Sequence, residues 1–339
     1  MKIPYHIRER REKVDSREKL SIFANAYKIS SVIFVAVRLN LFKNTYKEIS
    51  LRNLAKELNV LEQPLALLVN FLVALGILKE SNGNYIINND YLPLLFHDNE
   101  LVMQDFIKIA DTEMENRNYT KELMDSMFGK SSKQYDSSLQ LETVKNFNKV
   151  LNNSGQYASV LIARELSRYK PDTILDIGGN VGTYAIGICK ILKSVTVDVY
   201  DIASMKEPFE ENVSKNDLKD RIKFFEKDIL FDKIDQSYDA IILSNLLHCF
   251  PISVIDFIIS KVSQAIRSGG VIILHDTFLD ESGTTPLQTL LHNLDWLTSG
   301  CCFNYTAEDM RDKFEQYGLK LLKQVKYKNM PTTILVLKK

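Results

Sequence analysis

The stretch Thr173-Ile-Leu-Asp-Ile-Gly-Gly-Asn-Val-Gly-Thr-Tyr-Ala-Ile-Gly-Ile-Cys189 decides the fold of this chain. Ile174, Leu175 and Ile177 make a short apolar run of the kind that fills the centre of a parallel sheet, and Tyr184 to Leu192 continues with helical character. Gly178, Gly179 and Gly182 lie in the turn between them. Without side chains they admit positive φ and the close approach of a ligand, and Asn180 is one of the few other residue types that tolerates left-handed backbone. The next strand, Val195-Thr-Val-Asp-Val-Tyr-Asp201, ends in an acid. Strand, glycine turn, helix and acid-terminated strand are the layout of a site for an adenosine-containing cofactor.

The spacing Gly-Gly-x-x-Gly departs from the Gly-x-Gly-x-x-Gly of dinucleotide enzymes. Asp176 stands just before the glycines, where it would repel a pyrophosphate but attract the cationic amino-acid end of S-adenosylmethionine. Asp201, at the carboxyl end of the second strand, is placed to accept hydrogen bonds from both ribose hydroxyls. The bland alternative is a tight strand-to-helix turn followed by a surface Asp. An acid on each of the two strands weighs against it.

Composition bounds the rest. A chain of 339 residues exceeds the usual single domain, so two are expected, and 45% hydrophobic residues suffice for real cores. Its 43 basic and 43 acidic residues cancel, leaving no global attraction to nucleic acid. Cys189, Cys249, Cys301 and Cys302 have no metal-ligand spacing, so no metal is expected and the thiols read as reduced. The charged start, Met1-Lys-Ile-Pro-Tyr-His-Ile-Arg-Glu-Arg-Arg, lacks the apolar centre of a signal peptide, and no later run reaches membrane-spanning length without charge. A cytoplasmic protein without membrane contact is expected.

Residues 1–110 read as a helical domain ending in a wing. An apolar helix from Ile22 to Phe42, hydrophobic around much of its circumference, calls for burial, with a second subunit as one candidate. Ser50 to Leu58 and Pro64 to Gly76 read as two short helices, and Ile77 to Asn88 as a hairpin turning at Asn82-Gly83. Together they form a winged helix-turn-helix, which by itself suggests a DNA reader. The second helix argues otherwise: Gln63 and Asn70 lie amid Leu, Val, Phe and Ala with no basic residue, so dimerisation and closure of an active site are the expected roles. Residues 111–167 read as a helical bridge. From 168 to 339 strands and helices alternate, giving a Rossmann-like, doubly wound, mostly parallel sheet closed by an antiparallel hairpin at Leu319–Tyr327 and Thr332–Lys338.

Five segments occur in order: the Asp176–Gly182 loop, Tyr-Asp-Ile at 200–202, Lys-Asp-Ile-Leu at 227–230, Leu-Leu-His-Cys-Phe at 246–250 and Ser-Gly-Gly-Val-Ile-Ile at 268–273. In this combination the chain resembles the class I S-adenosylmethionine-dependent O-methyltransferases of small molecules, the group of plant caffeate and flavonoid enzymes, acetylserotonin methyltransferase and bacterial antibiotic-tailoring enzymes. The resemblance spans nearly the whole chain, because that family also carries an amino-terminal winged-helix dimerisation domain. It implies that Gly178, Gly179 and Gly182 hold the methionine end of the cofactor, Asp201 with Ile202 the ribose, and Asp228 with Ile229 the adenine edge. Phe250, where the family usually has Trp, flanks the adenine, and Ser244 stands where relatives often have a cofactor-contacting Lys. The product is then S-adenosylhomocysteine.

The same resemblance makes His248 the general base that takes the proton from an acceptor hydroxyl, a task suited to imidazole. Asp276 matches the first of two acids that hold this histidine, and Asn304 falls at the second, where it cannot stabilise an imidazolium by charge. His275, beside Asp276, is an open choice for the same side of the strand. Met103, Phe147, Leu151, His292 and Trp296 are candidate pocket residues for an aromatic or polyketide-like acceptor, with core packing as the plain alternative. Cys249 and Phe250 alter the usual surroundings of the histidine, which keeps open a relative that binds S-adenosylmethionine yet performs decarboxylation, hydroxylation or a pericyclic step. A DNA-binding regulator sensing the cofactor is the rival from another class.

Overall fold

The computed structural model describes residues 16–96, 103–128, 155–298, 305–327 and 332–339. The chain divides into two compact units, Met1–Arg117 and Asn118–Lys339.

In the first unit the expected single apolar helix is broken into Ser16–Ala24, Ala26–Arg38 and Leu41–Asn44. Asparagines punctuate it. Asn25 leaves helical geometry and donates its side-chain amide to the Ser21 carbonyl at 2.8 Å, and Asn40 is left-handed at φ 54°. Leu51–Leu58 and Glu62–Ala74 follow, bent 111° from each other. Ser50 caps the first by accepting the Asn53 amide at 3.4 Å, and left-handed Asn59 ends it. Strands β2 (Leu78–Ser81) and β3 (Asn84–Ile87) form the hairpin, with β1 (Ile49–Ser50) on the other side of β3. Asn82 and Gly83 both have positive φ, as a two-residue turn of type I′ requires. Leu54, Leu65, Val69, Leu72, Leu78 and Ile87 build the core of this unit. Arg38 pairs with Asp111 and Glu115, tying Ala26–Arg38 to helix Gln104–Asn116. The first helix, Ser16–Ala24, is little covered: Leu20 and Phe23 remain 69% and 70% exposed.

The second unit is built on seven strands: β4 (Thr173–Ile177), β5 (Thr196–Asp201), β6 (Ile222–Glu226), β7 (Tyr238–Ser244), β8 (Ile266–Asp276), β9 (Lys320–Lys326) and β10 (Thr333–Lys338). Their order is β6-β5-β4-β7-β8-β10-β9. The first five are parallel, and β10 runs antiparallel to both β8 and β9. The chain starts at β4, winds outward to β6, then returns to the other side of β4 with β7. The crevice at the carboxyl ends of β4 and β7 is therefore the switch point where ligands of such sheets bind. Helices Thr183–Ile191, Lys206–Lys215 and Ile252–Ala265 make the β4–β5, β5–β6 and β7–β8 crossovers, and β6 and β7 are joined by an irregular loop.

Side chains alternate across the sheet. Leu175, Ile177, Leu243, Leu274 and Leu335 fill one face with Ile255, Ile258, Ile259 and Phe314, while Ile174, Val197, Val199, Ile242, Ile273 and Val336 fill the other with Ile186, Ile188 and Phe209. β4 has neighbours on both edges and cores on both faces, which explains why Ile174, Leu175 and Ile177 are all buried. No single helix among the described residues is long and apolar enough to cross a membrane.

Candidate active site at the switch point

The glycine loop is shaped by backbone that other residues resist. Gly178, Asn180 and Gly182 take φ of 71°, 50° and 79°. A Cβ on Gly179 would lie 2.6 Å from Val199 Cγ1 and 2.8 Å from Asp176 Oδ2, so the loop closes over the acid only because that atom is missing. A Cβ on Gly178 would lie 2.7 Å from Leu246 Cδ1. The glycine loop thus abuts the turn that carries His248.

Asp176 is 1% exposed, and its Oδ2 has no hydrogen-bond partner. Burial, reinforced by the charge of Asp201, pushes its carboxyl up to about 7. A buried, unpartnered acid facing a glycine cradle suits a cationic group, so the residues present fit the amino-acid end of S-adenosylmethionine. Asp201 accepts the amides of Asn180 at 2.7 Å and Ile202 at 2.8 Å, one on each oxygen. Burial raises its pKa, opposed by those two amides. Each oxygen keeps a second lone pair for a ribose hydroxyl.

The other expected cofactor contacts are distributed around the same edge. Asp228 uses Oδ1 to accept the Leu230 amide at 2.8 Å, and Ile229 is buried while its carbonyl accepts from Lys261 at 2.7 Å. Phe250 packs half-buried on the core face shared by Ile255 and Leu247, and Ile202 is 51% exposed. Ser244 is buried, and its hydroxyl lies 2.8 Å from His275 Nδ1 rather than open to the crevice.

His248 lies in the 3-10 turn Leu247–Cys249, directly after β7. Its Nδ1 is 2.8 Å from Asp276 Oδ1 at the end of β8. Asp276 is fully buried and also accepts the Thr277 amide at 2.8 Å and the Tyr305 hydroxyl at 3.1 Å. Desolvation lowers the imidazole pKa, but the charge and hydrogen bond of Asp276, with a smaller contribution from Cys249, outweigh it and lift His248 to about 10. Strand alternation resolves the choice between neighbours. Asp276 shares a face with Leu274 and reaches His248, whereas His275 points to the opposite face, between Ser244 and the Thr332 hydroxyl at 2.7 Å. Burial there holds His275 down at about 4, against the pull of Asp276.

Trp296, in helix Leu287–Thr298, stacks on the His248 ring with centroids 4.0 Å apart and planes at 10°. His292, one turn earlier, lies 6.0 Å from Trp296, its pKa lowered by burial. Tyr119 anchors this helix through its hydroxyl on Asp295 Oδ1 at 3.1 Å. Met103 belongs to the Met1–Arg117 unit and is 36% exposed there. Asn304, Phe147 and Leu151 lie outside the described residues. Reading the sequence missed Tyr305, whose side chain comes to Asp276 through the isolated bridge between Leu279 and Thr306. No local motif marks it. Among the described residues no group of His, Cys, Asp and Glu is arranged to hold a metal ion.

The fold is a doubly wound α/β sheet with a glycine loop, two acids on successive strands and a histidine–carboxylate pair beside its switch point. A sequence model of the O-methyltransferase domain matches residues 106–319, well over half of the chain, and the chain belongs to that family. Acetylserotonin O-methyltransferase of Bos taurus is 31% identical over 140 residues, 41% of this chain and 39% of the relative. The 3-hydroxy-5-methyl-1-naphthoate 3-O-methyltransferase of Streptomyces sahachiroi is 23% identical over 154 residues, 45% of each chain. The matched region therefore spans less than half the length of either relative. Among solved structures, human N-acetylserotonin methyltransferase in complex with SAM is similar in fold, with TM-score 0.75 and 19% identity over 97% of this chain and 99% of that one.

Proposed function

We propose that this chain transfers a methyl group from S-adenosylmethionine to a hydroxyl of a small aromatic or polyketide-like metabolite, with His248 as general base. The observation that carries this reading is the His248–Asp276 pair at 2.8 Å, set beside the glycine loop by the contact of Leu246 with Gly178. When bound, the cofactor supplies an electrophilic methyl on a sulfonium.

Asp176 and the glycine cradle would hold its amino-acid end, Asp201 its ribose, and Asp228, Ile229 and Phe250 would lie at its adenine. His248 keeps Nδ1 on Asp276, which leaves Nε2 to take the acceptor proton. The tautomer follows from the carboxylate, which accepts and cannot donate. An imidazole lifted to about 10 matches a phenol, whose unperturbed pKa is about 10, so proton transfer between them is near thermoneutral. An aliphatic alcohol is far less acidic and gains little from such a base. That match, with the indole of Trp296 beside the histidine, favours an aromatic hydroxyl. Positioning of the two reactants supplies most of the remaining rate.

The test is label transfer. Incubated with methyl-labelled S-adenosylmethionine and a panel of phenolic metabolites, the protein should yield a product heavier by one labelled methyl in mass spectrometry. Cofactor binding without label in any product, with an acceptor altered by loss of carbon dioxide or gain of oxygen, would instead establish non-methyl chemistry.

The amino-terminal unit supports a homodimer. Leu20, Phe23 and Tyr27 present apolar surface at 69%, 70% and 56% exposure along consecutive helices, an arrangement that soluble proteins cover with a partner. Sedimentation should give twice the chain mass, and Phe23→Glu should shift the protein to monomer. A monomer at micromolar concentration in the unaltered protein would refute the assignment.

A further inference from the structure

Trp296 is the only tryptophan in the chain, and the structure puts it to a use that a pocket wall does not explain. Its indole lies flat on the His248 imidazole, with centroids 4.0 Å apart and an interplanar angle of 10°. The other aromatic pairs of this unit, such as Phe209 with Phe224 and Phe278 with Tyr305, meet at tilted angles, so the near-parallel pair is particular to the histidine. Face-to-face stacking is the geometry in which an electron-rich ring stabilises a cation above it.

The rest of the histidine is already constrained. Nδ1 is fixed at 2.8 Å on Asp276, whose two oxygens are further engaged by the Thr277 amide and the Tyr305 hydroxyl. The ring is held covalently at Cγ and by the hydrogen bond at the neighbouring Nδ1, which fixes that edge. The indole lies along one face and opposes tilting of the rest of the ring. Trp296 is itself held by its helix, anchored through Asp295 to Tyr119.

We infer that Trp296 is a positioning residue for His248: it fixes the plane of the imidazole and stabilises its protonated form, so that the base binds the acceptor proton more firmly than Asp276 alone provides. The catalytic meaning of this rests on His248 being the base. The physical pairing does not, and it can be read without turnover. The groups facing His248 are Asp276 from β8, Cys249 from its own turn and His292 from the Trp296 helix; the first two raise its proton affinity, and His292 responds to the charge of His248 in turn. Trp296 adds an uncharged contribution of the same sign as Asp276.

Two measurements on the full-length protein test the inference. The first is the pH dependence of Trp296 fluorescence, which reports this residue alone because the chain has one tryptophan. An imidazolium in face contact quenches indole emission, so emission should rise as pH increases through the alkaline titration of His248. The transition should vanish in His248→Asn and persist in His292→Asn; persistence in His248→Asn would overturn the pairing. The second is the His248 pKa followed by the imidazole C2 proton resonance, tractable with five histidines in the chain. Trp296→Leu keeps the site apolar and removes the ring face, and should lower the pKa by about half to one pH unit. Trp296→Phe should retain most of it. An unchanged pKa in Trp296→Leu, with its melting temperature preserved, would reduce Trp296 to a wall of the pocket. Because neither reading involves methyl transfer, failure of the proposed activity leaves both results standing.

Discussion

His248→Ala should lower turnover by about a hundredfold or more while leaving S-adenosylmethionine affinity within a few-fold of the unaltered protein. The separation follows from position: His248 sits after β7, whereas the residues proposed to hold the cofactor lie on β4, β5 and the loop between Ile177 and Thr183. Single-turnover kinetics and calorimetry on the same preparation check both halves. A loss below tenfold would mean that acceptors arrive already ionised. The pH profile sharpens the result. A base must be neutral to act, so with His248 lifted to about 10 the acid limb of kcat/KM lies on the alkaline side, and activity rises with pH through that region. Asp276→Asn removes the negative charge that holds the proton. The limb should then move to lower pH by more than about two units, toward or below the ordinary imidazole value. The plateau rate should fall too, because the weaker base no longer matches a phenol and Asn can present its amide to Nδ1 in the wrong sense. A limb that stays in place would show that another group titrates.

Asp201→Ala should weaken S-adenosylmethionine binding by at least about tenfold, the loss expected from charge-assisted hydrogen bonds worth about 1.5–3 kcal/mol each. Two roles collapse together in this variant. The carboxylate would be the acceptor offered to the ribose, and it also pins the left-handed Asn180 and the following Ile202 through their amides. Asp201→Asn separates them, since one carbonyl oxygen can keep the Asn180 amide while the charge is lost. Calorimetry is best run near pH 7.5, where Asp176, raised to about 7, is mostly ionised and the α-amino group of the cofactor still carries its proton. Affinity should fall as pH drops through that value, because protonation of Asp176 removes the attraction. Unchanged affinity in Asp201→Ala would remove this residue from the cofactor site.

Much of this site could be read along the chain because it is built from short segments. The loop Asp176–Gly182 is contiguous, its glycines mark positions where a side chain would collide or φ is positive, and a parallel strand between two others is apolar at most positions. The same holds for Asn82-Gly83, where two positive φ values in sequence leave few other residue choices. Less legible was the amino-terminal helix. Its hydrophobic residues ran past Asn25 and Asn40, and periodicity cannot register that one asparagine leaves helical geometry and another turns left-handed.

By itself, then, the sequence determined the parallel sheet, the glycine loop and the acids on β4 and β5, since each is encoded in local spacing and backbone preference. Only the tertiary structure decided which of His275 and Asp276 meets His248, because strand alternation sends neighbours to opposite faces and the choice depends on where β7 ends against β8. It alone brought Tyr305 to Asp276 and laid Trp296 on the histidine, across 29 and 48 residues of chain. Those contacts arise from packing between separate elements, and no spacing along a chain encodes the angle between two rings.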